Sequence, residues 1–71
     1  MILNPVYSGQ ELKFDTIYKE ISCYSMSGEL IDIKKNVFEK YTIPNGLTAG
    51  MYIMRIRYNN GKSRRYKLLV K

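Results

Sequence analysis

Four arginines, Arg55, Arg57, Arg64 and Arg65, set around Tyr58 and the pair Asn60-Gly61, are the residues whose type and spacing most invite chemistry. Guanidinium groups hold phosphate and carboxylate oxygens through paired N–H donors, and an interleaved ring offers a face on which a nucleobase can stack. The charge is segregated. Residues 1 to 54 hold five basic side chains against six acidic ones, whereas from Arg55 onward there are seven basic residues and no acid. The net charge of +6 therefore reads as a positive patch on the last part of the chain, suited to an anionic partner. Single-stranded nucleic acid on a small basic β-barrel is one such partner. Against it, Tyr58 shares the alternation phase of Tyr52 and Ile56, so a charged, solvated strand face accounts for the same residues.

Catalytic chemistry has less to stand on. The chain has no His, its two Asp residues, Asp15 and Asp32, fall in separate segments, and Cys23 has no base or orienting partner in the sequence. One Cys makes neither an internal disulfide nor, without His, a zinc site. The compartment stays open on this evidence of thiol usage, since export does not require disulfides. Glycines stand singly in turns and form no phosphate-binding loop. No catalytic residue, metal ligand or cofactor is expected. No apolar run approaches the roughly 20 residues of a bilayer-spanning helix, and the N-terminus lacks a basic segment followed by an apolar one.

The elements that position the arginines are strands. Gly50 to Tyr58 alternates, with Tyr52, Met54, Ile56 and Tyr58 on one side and Arg55 and Arg57 on the other, and Asn60-Gly61 then turns the chain back into Ser63 to Val70. Upstream, Asn4-Pro5 and Ser8-Gly9 mark turns around Val6-Tyr7. A short edge strand is predicted over Glu11–Asp15, with Leu12 and Phe14 on one face. A second follows over Ile17–Tyr24, with Ile21 and Cys23 inward and Cys23 acting as a small hydrophobe. Gly28 supplies the positive φ of a turn or bulge. A third strand runs from Glu29 to Lys34 with Leu30 or Ile31 inward. After Lys35-Asn36 comes Val37 to Ile43, whose inward set is either Phe38 and Lys40 or Val37, Glu39 and Tyr41. Pro44-Asn45-Gly46 ends that strand.

No helix is predicted: Ile17, Ile21 and Tyr24 have helical spacing, but their segment is short and rich in β-branched and aromatic residues. About six or seven short strands separated by turns make an all-β domain over residues 1–71, an antiparallel sandwich or a small barrel. In a sandwich its interior takes Leu12, Phe14, Ile21, Cys23, Leu30 or Ile31, Tyr41, Leu47, Tyr52, Met54, Ile56 and Leu69. At 71 residues the margin of stability is modest.

Several blocks, in order, match a known pattern: Asn4-Pro5; Ile21 through Ile31, with Ser25-Met26-Ser27-Gly28 at its centre; Leu47-Thr48-Ala49-Gly50-Met51-Tyr52-Ile53-Met54-Arg55-Ile56; and Lys67-Leu68-Leu69-Val70-Lys71. Together they resemble the C-terminal sorting domain of the type IX (Por) secretion system of Bacteroidetes. The resemblance implies an immunoglobulin-like β-sandwich of about seven strands at the C-terminus of a larger cargo protein. It implies a domain read by the outer-membrane translocon after the cargo has crossed the inner membrane by a separate N-terminal signal. It further implies removal by a sortase-like cysteine protease, which can attach the cargo to anionic lipopolysaccharide at the cell surface.

Carried over residue by residue, Asn4 and Pro5 resemble the Asn-Pro that opens the family's domain, and Gly28 its glycine after the central strand. Leu47, Gly50 and Tyr52 resemble its Leu-x-x-Gly-x-Tyr signature, for which a structural role suffices: Gly50 relieves a turn and Tyr52 fills the core with its hydroxyl at a polar rim. Lys67, Leu68, Leu69, Val70 and Lys71 resemble its terminal basic and aliphatic strand. This run is the candidate for recognition by the translocon, through strand addition at an exposed edge. Cys23 stands where the family more often has an aliphatic residue. Arg55, Arg57, Arg64 and Arg65 exceed the family's usual positive charge. The remaining alternative is an Ig-like adhesive or spacer domain of a surface protein.

Overall fold

The computed structural model describes residues 2–71, with side chains from Pro5 onward. Among the described residues it has five strands and no helix: β1 (Ile2–Val6), β2 (Glu11–Ser25), β3 (Leu30–Thr42), β4 (Gly50–Arg57) and β5 (Ser63–Val70). They form one sheet in the order β1-β5-β4-β2-β3. All neighbours are antiparallel except β1 and β5, which run parallel.

The β4–β5 hairpin follows its sequence pattern closely. Its register runs from Gly50↔Val70 to Arg57↔Ser63 without a shift, and Tyr52, Met54 and Ile56 are buried while their alternates are half-exposed. The tip is a three-residue loop closed by the Tyr58 N–H to the Lys62 carbonyl at 2.8 Å and the Gly61 N–H to the Tyr58 carbonyl at 3.1 Å. Gly61 takes the left-handed position, φ +86°, that such a loop requires. The core-side phase of β5 is opposite to expectation. Leu68 and Val70 are buried and Leu69 is half-buried, because the register sets Leu68 beside Tyr52 on the core side.

The long β2–β3 hairpin accounts for the difference in strand number. Glu11–Asp15 and Ile17–Tyr24, expected as two strands, are one, and so are the segments on either side of Lys35-Asn36. Between the pairs Lys13↔Lys40 and Ile17↔Phe38, three residues of β2 lie opposite Glu39 alone. Glu39 has φ +66° and Asn36 φ +53°, so the interruptions are irregularities within a ladder rather than reversals. Unequal residue numbers on two paired strands bend both, and the sheet curls over its own core. Five strands of one curled, mixed sheet thus stand where about seven strands in two antiparallel, immunoglobulin-like layers were expected.

A second register shift lies between Cys23↔Asp32 and Tyr24↔Leu30, with Ile31 as the extra residue. It leaves Leu30 50%, Ile31 37% and Ile33 42% exposed, so neither Leu30 nor Ile31 faces inward as expected. Asp32 takes the core-side position beside Cys23, and the Tyr41 hydroxyl donates to its Oδ2 at 2.9 Å. Val37 and Tyr41 are the inward pair of the second half of β3, with Phe38, Glu39 and Lys40 exposed. The core also holds Val6, Ile21, Cys23 and Ile43. Its rim carries the edge-to-face rings Phe14–Tyr18 at 5.0 Å and Tyr18–Tyr58 at 5.5 Å.

Candidate functional site

The signature residues Leu47, Gly50 and Tyr52 build one corner. Leu47 is clipped to the β1–β2 turn: its N–H donates to Ser8 Oγ at 3.0 Å, and that hydroxyl donates to the Leu47 carbonyl at 3.2 Å. Gly50 opens β4 with φ +151°, a conformation that side chains disfavour. The buried Tyr52 ring sends its hydroxyl back to the Thr48 carbonyl at 2.8 Å, which satisfies a polar group at the core boundary. Sequence reasoning had a hydroxyl at a polar rim but not its partner.

Gly28, with φ +92°, closes the β2–β3 loop by donating to the Ser25 carbonyl at 3.0 Å, while the Glu29 N–H donates to Ser25 Oγ at 3.1 Å. Pro5 is exposed in edge strand β1, where Asn4 and Pro5 together oppose Leu69 across a register irregularity. A residue without an N–H is tolerated at such a point of an edge. The side chain of Asn4 lies outside the described residues.

The terminal run Lys67–Lys71 is not a sheet edge. β5 pairs with β4 on one side and, over Lys67 to Val70, with β1 on the other, and the Lys71 N–H donates to the Val6 carbonyl at 2.8 Å. Strand addition along this run is therefore blocked in the folded domain. What it offers to solvent is Lys67, Lys71 and part of Leu69. The free lateral edge on the opposite side of the sheet belongs to β3, where Lys34, Lys35, Lys40 and two left-handed residues discourage pairing.

The four arginines do not share one face. Paired residues of an antiparallel ladder point to the same side, and Arg64 sits opposite the core residue Ile56. Arg55, Arg57 and Arg65 lie on the outer face. Arg57 is engaged by Glu20, Nη1 to Oε2 at 3.3 Å. Arg55 and Arg65 are directly opposite each other, two like charges side by side. Tyr58 is half-buried, edge-on to Tyr18 and hydroxyl to hydroxyl with Tyr66 at 3.2 Å, so it is no open platform for a base.

Cys23 is fully buried, and burial, with Asp32 alongside, pushes its thiol up from the usual range. Burial also raises Tyr41 well above an ordinary phenol, helped by its hydrogen bond to Asp32. A covered, protonated thiol is a packing group rather than a nucleophile. Among the described residues no three His, Cys, Asp or Glu side chains gather as metal ligands do.

An open apolar cavity of about 400 Å³ lies between the bent part of β2 and the β1 side of the sheet, lined by Val6, Leu12, Phe14, Met54, Ile56 and Tyr66 among others. A smaller cleft of about 220 Å³ on the outer face is lined by Tyr24, Gly28, Ile53, Arg55 and Arg65.

No match is found among the curated proteins or among the solved structures. A family model described as the secretion system C-terminal sorting domain matches residues 4–71. The corner at Leu47–Tyr52, the Gly28 loop and the stitched terminal strand all fall within that span, and the chain belongs to the type IX secretion C-terminal sorting domain family.

Proposed function

We propose that the secretion machinery reads this domain as a folded address, and that the solvent-facing members of its last run, Lys67, Leu69 and Lys71, are part of what is read. The chain is a C-terminal sorting signal of the type IX secretion system, and a protein bearing it is exported to the cell surface or secreted. The family is not one of enzymes. What supports the folded-address reading is the extent of the match: it covers residues 4–71, all but the first residues of the sheet, and not a short terminal tag. On this reading residues 1–71 are a single unit carried in cis behind a cargo. The outer-membrane translocon engages it from the periplasm, and a sortase-like cysteine protease then removes it.

The test is a reporter carrying an N-terminal export signal and this domain, expressed in a host with the type IX system, with surface reporter measured by accessibility to added protease. Deleting the domain abolishes display if the sorting assignment holds. Lys67→Glu with Lys71→Glu lowers display severalfold while the periplasmic domain stays folded. Display unchanged by the double substitution overturns the role of the run and leaves the sorting assignment standing.

A further inference from the structure

We infer that Arg55 and Arg65 form a carboxylate-binding cleft on the outer face of the sheet, which takes an acidic side chain of a partner polypeptide. Three observations carry this. The two guanidinium groups occupy a directly opposed cross-strand pair, where like charges repel. The ion pairs among the described residues are Lys40–Glu11 and Arg57–Glu20, so neither Arg55 nor Arg65 has an internal counter-charge. Arg55 Nε is buried and has no hydrogen-bond acceptor, a deficit that native structures rarely leave. A carboxylate delivered from outside removes both faults. It neutralises the pair, and with a turn of the Arg55 stem it accepts from Nε–H and Nη–H together.

The surroundings select a peptide. The cleft, at about 220 Å³, is smaller than the usual small-molecule pocket of roughly 300 to 1,000 Å³ and suits one side chain. Tyr24 and Ile53 form its walls, and the neighbouring row of the same face runs Lys67, Ile53, Tyr24, Leu30 across four strands. Leu30 and Ile33 are exposed there, apolar ground for the residues flanking an acid in an extended segment. A charged membrane surface needs a broad cationic field, whereas on this face the Arg57–Glu20 pair separates Lys35 from the uncompensated charge around the cleft, which is Arg55, Arg65 and Lys67. The cleft stands whether or not the run Lys67–Lys71 is read by the translocon.

The test is a nuclear magnetic resonance titration of the 71-residue chain, following the Nε–Hε signals of Arg55 and Arg65 and the amide of Ile53. The probes are a blocked Thr-Leu-Glu-Leu-Thr peptide, its Gln counterpart, inorganic phosphate and anionic phosphatidylglycerol vesicles. The Glu peptide moves all three signals, and the Gln peptide binds about tenfold more weakly or worse, as expected for loss of a charge-assisted pair. Arg65→Gln weakens the Glu peptide by a similar factor and, because it relieves a like-charge pair at an exposed position, does not lower the thermal midpoint. Arg65→Lys falls between the two. Equal binding of the Gln peptide, unchanged binding by Arg65→Gln, or no shift with the Glu peptide overturns the cleft. Phosphate or vesicles moving the signals as effectively as the Glu peptide overturns the assignment to a polypeptide.

Discussion

The two hairpins of this sheet obey the same alternation rule with very different fidelity. The β4–β5 hairpin lies in the middle of the sheet, keeps one register over eight pairs and buries every second side chain of β4 up to Ile56. The β2–β3 hairpin reaches the edge, shifts register twice, and leaves Ile17, Leu30, Ile31, Ile33 and Phe38 exposed. A central strand has neighbours on both sides that penalise a slip, because each slip of one residue exchanges its core and solvent faces. An edge strand is held from one side only. Here that freedom is used to bend the long hairpin and close a core too small for two separate sheets.

The sharpest way to break this contrast is to truncate matched apolar side chains in the two hairpins. Leu68→Ala removes a fully buried side chain from the central pair and costs about 2 to 5 kcal/mol, enough to unfold much of a domain this size. Phe38→Ala, on the edge strand and 60% exposed, stays within about 1 kcal/mol. Urea midpoints of the two variants measure the gap. Equal losses would mean that the exposed face of β3 is packed in solution.

Gly50→Ala tests the corner that starts the central hairpin. A Cβ there meets nothing within 4 Å, so the cost is conformational and not steric crowding. At φ +151° it amounts to about 1 to 3 kcal/mol, read as a lower thermal midpoint. Glu39→Gly is the opposite experiment on the edge hairpin. Glu39 holds φ +66° at the bend, a conformation that glycine adopts without the Cβ penalty of about 1 to 2 kcal/mol. Part of that gain is lost to the greater freedom of glycine in the unfolded chain. The variant is therefore expected to be stabilised by up to about 1 kcal/mol, and destabilisation would show that the bend depends on the Glu39 side chain.

This asymmetry also separates what sequence could reveal from what it could not. Tyr52, Met54 and Ile56 were legible as core because strict alternation, a turn with glycine at its left-handed position, and wet Arg55 and Arg57 all agree. Ile21 and Cys23 were legible for the same reason. Lys35-Asn36 carries the composition of a turn, yet Asn36 satisfies the same preference for positive φ inside a continuous strand. Composition cannot distinguish those outcomes, and so the strands were overcounted. Leu69 was misplaced because Lys67-Leu68-Leu69-Val70-Lys71 has three apolar residues in a row and its phase is fixed only by pairing with β4. The Arg55–Arg65 opposition was only half within reach: counting outward from Asn60-Gly61 as a two-residue turn pairs Arg57 with Arg64, and it is the three-residue loop closed at Tyr58 and Lys62 that moves the ladder by one, to Arg57↔Ser63 and Arg55↔Arg65. The approach of Asp32 to Cys23 and Tyr41 was not, since it depends on the extra residue Ile31.

That last grouping gives the smallest expected effect, and it joins the two hairpins, since Cys23 pairs with Asp32 on one side and Met54 on the other. Burial raises the Cys23 thiol above its ordinary value of 9.0, so the fold favours the protonated form. Between that value and the raised one, the unfolded chain binds fewer protons than the folded chain, and stability falls as pH rises. The contribution is fully present below about pH 9 and is lost through the folded-state titration. Tyr41, raised in the same way from 10.0, adds its loss only from about pH 10 upward. The interval between pH 9 and 10 therefore belongs mainly to Cys23. Replacing it by Val keeps a small apolar side chain and removes the titrating group, so the urea midpoint should fall less steeply across that interval, by about 1 kcal/mol or less of unfolding free energy. A slope unchanged by Cys23→Val would mean that the thiol is not sequestered, and that the junction between the central and edge hairpins opens readily to water.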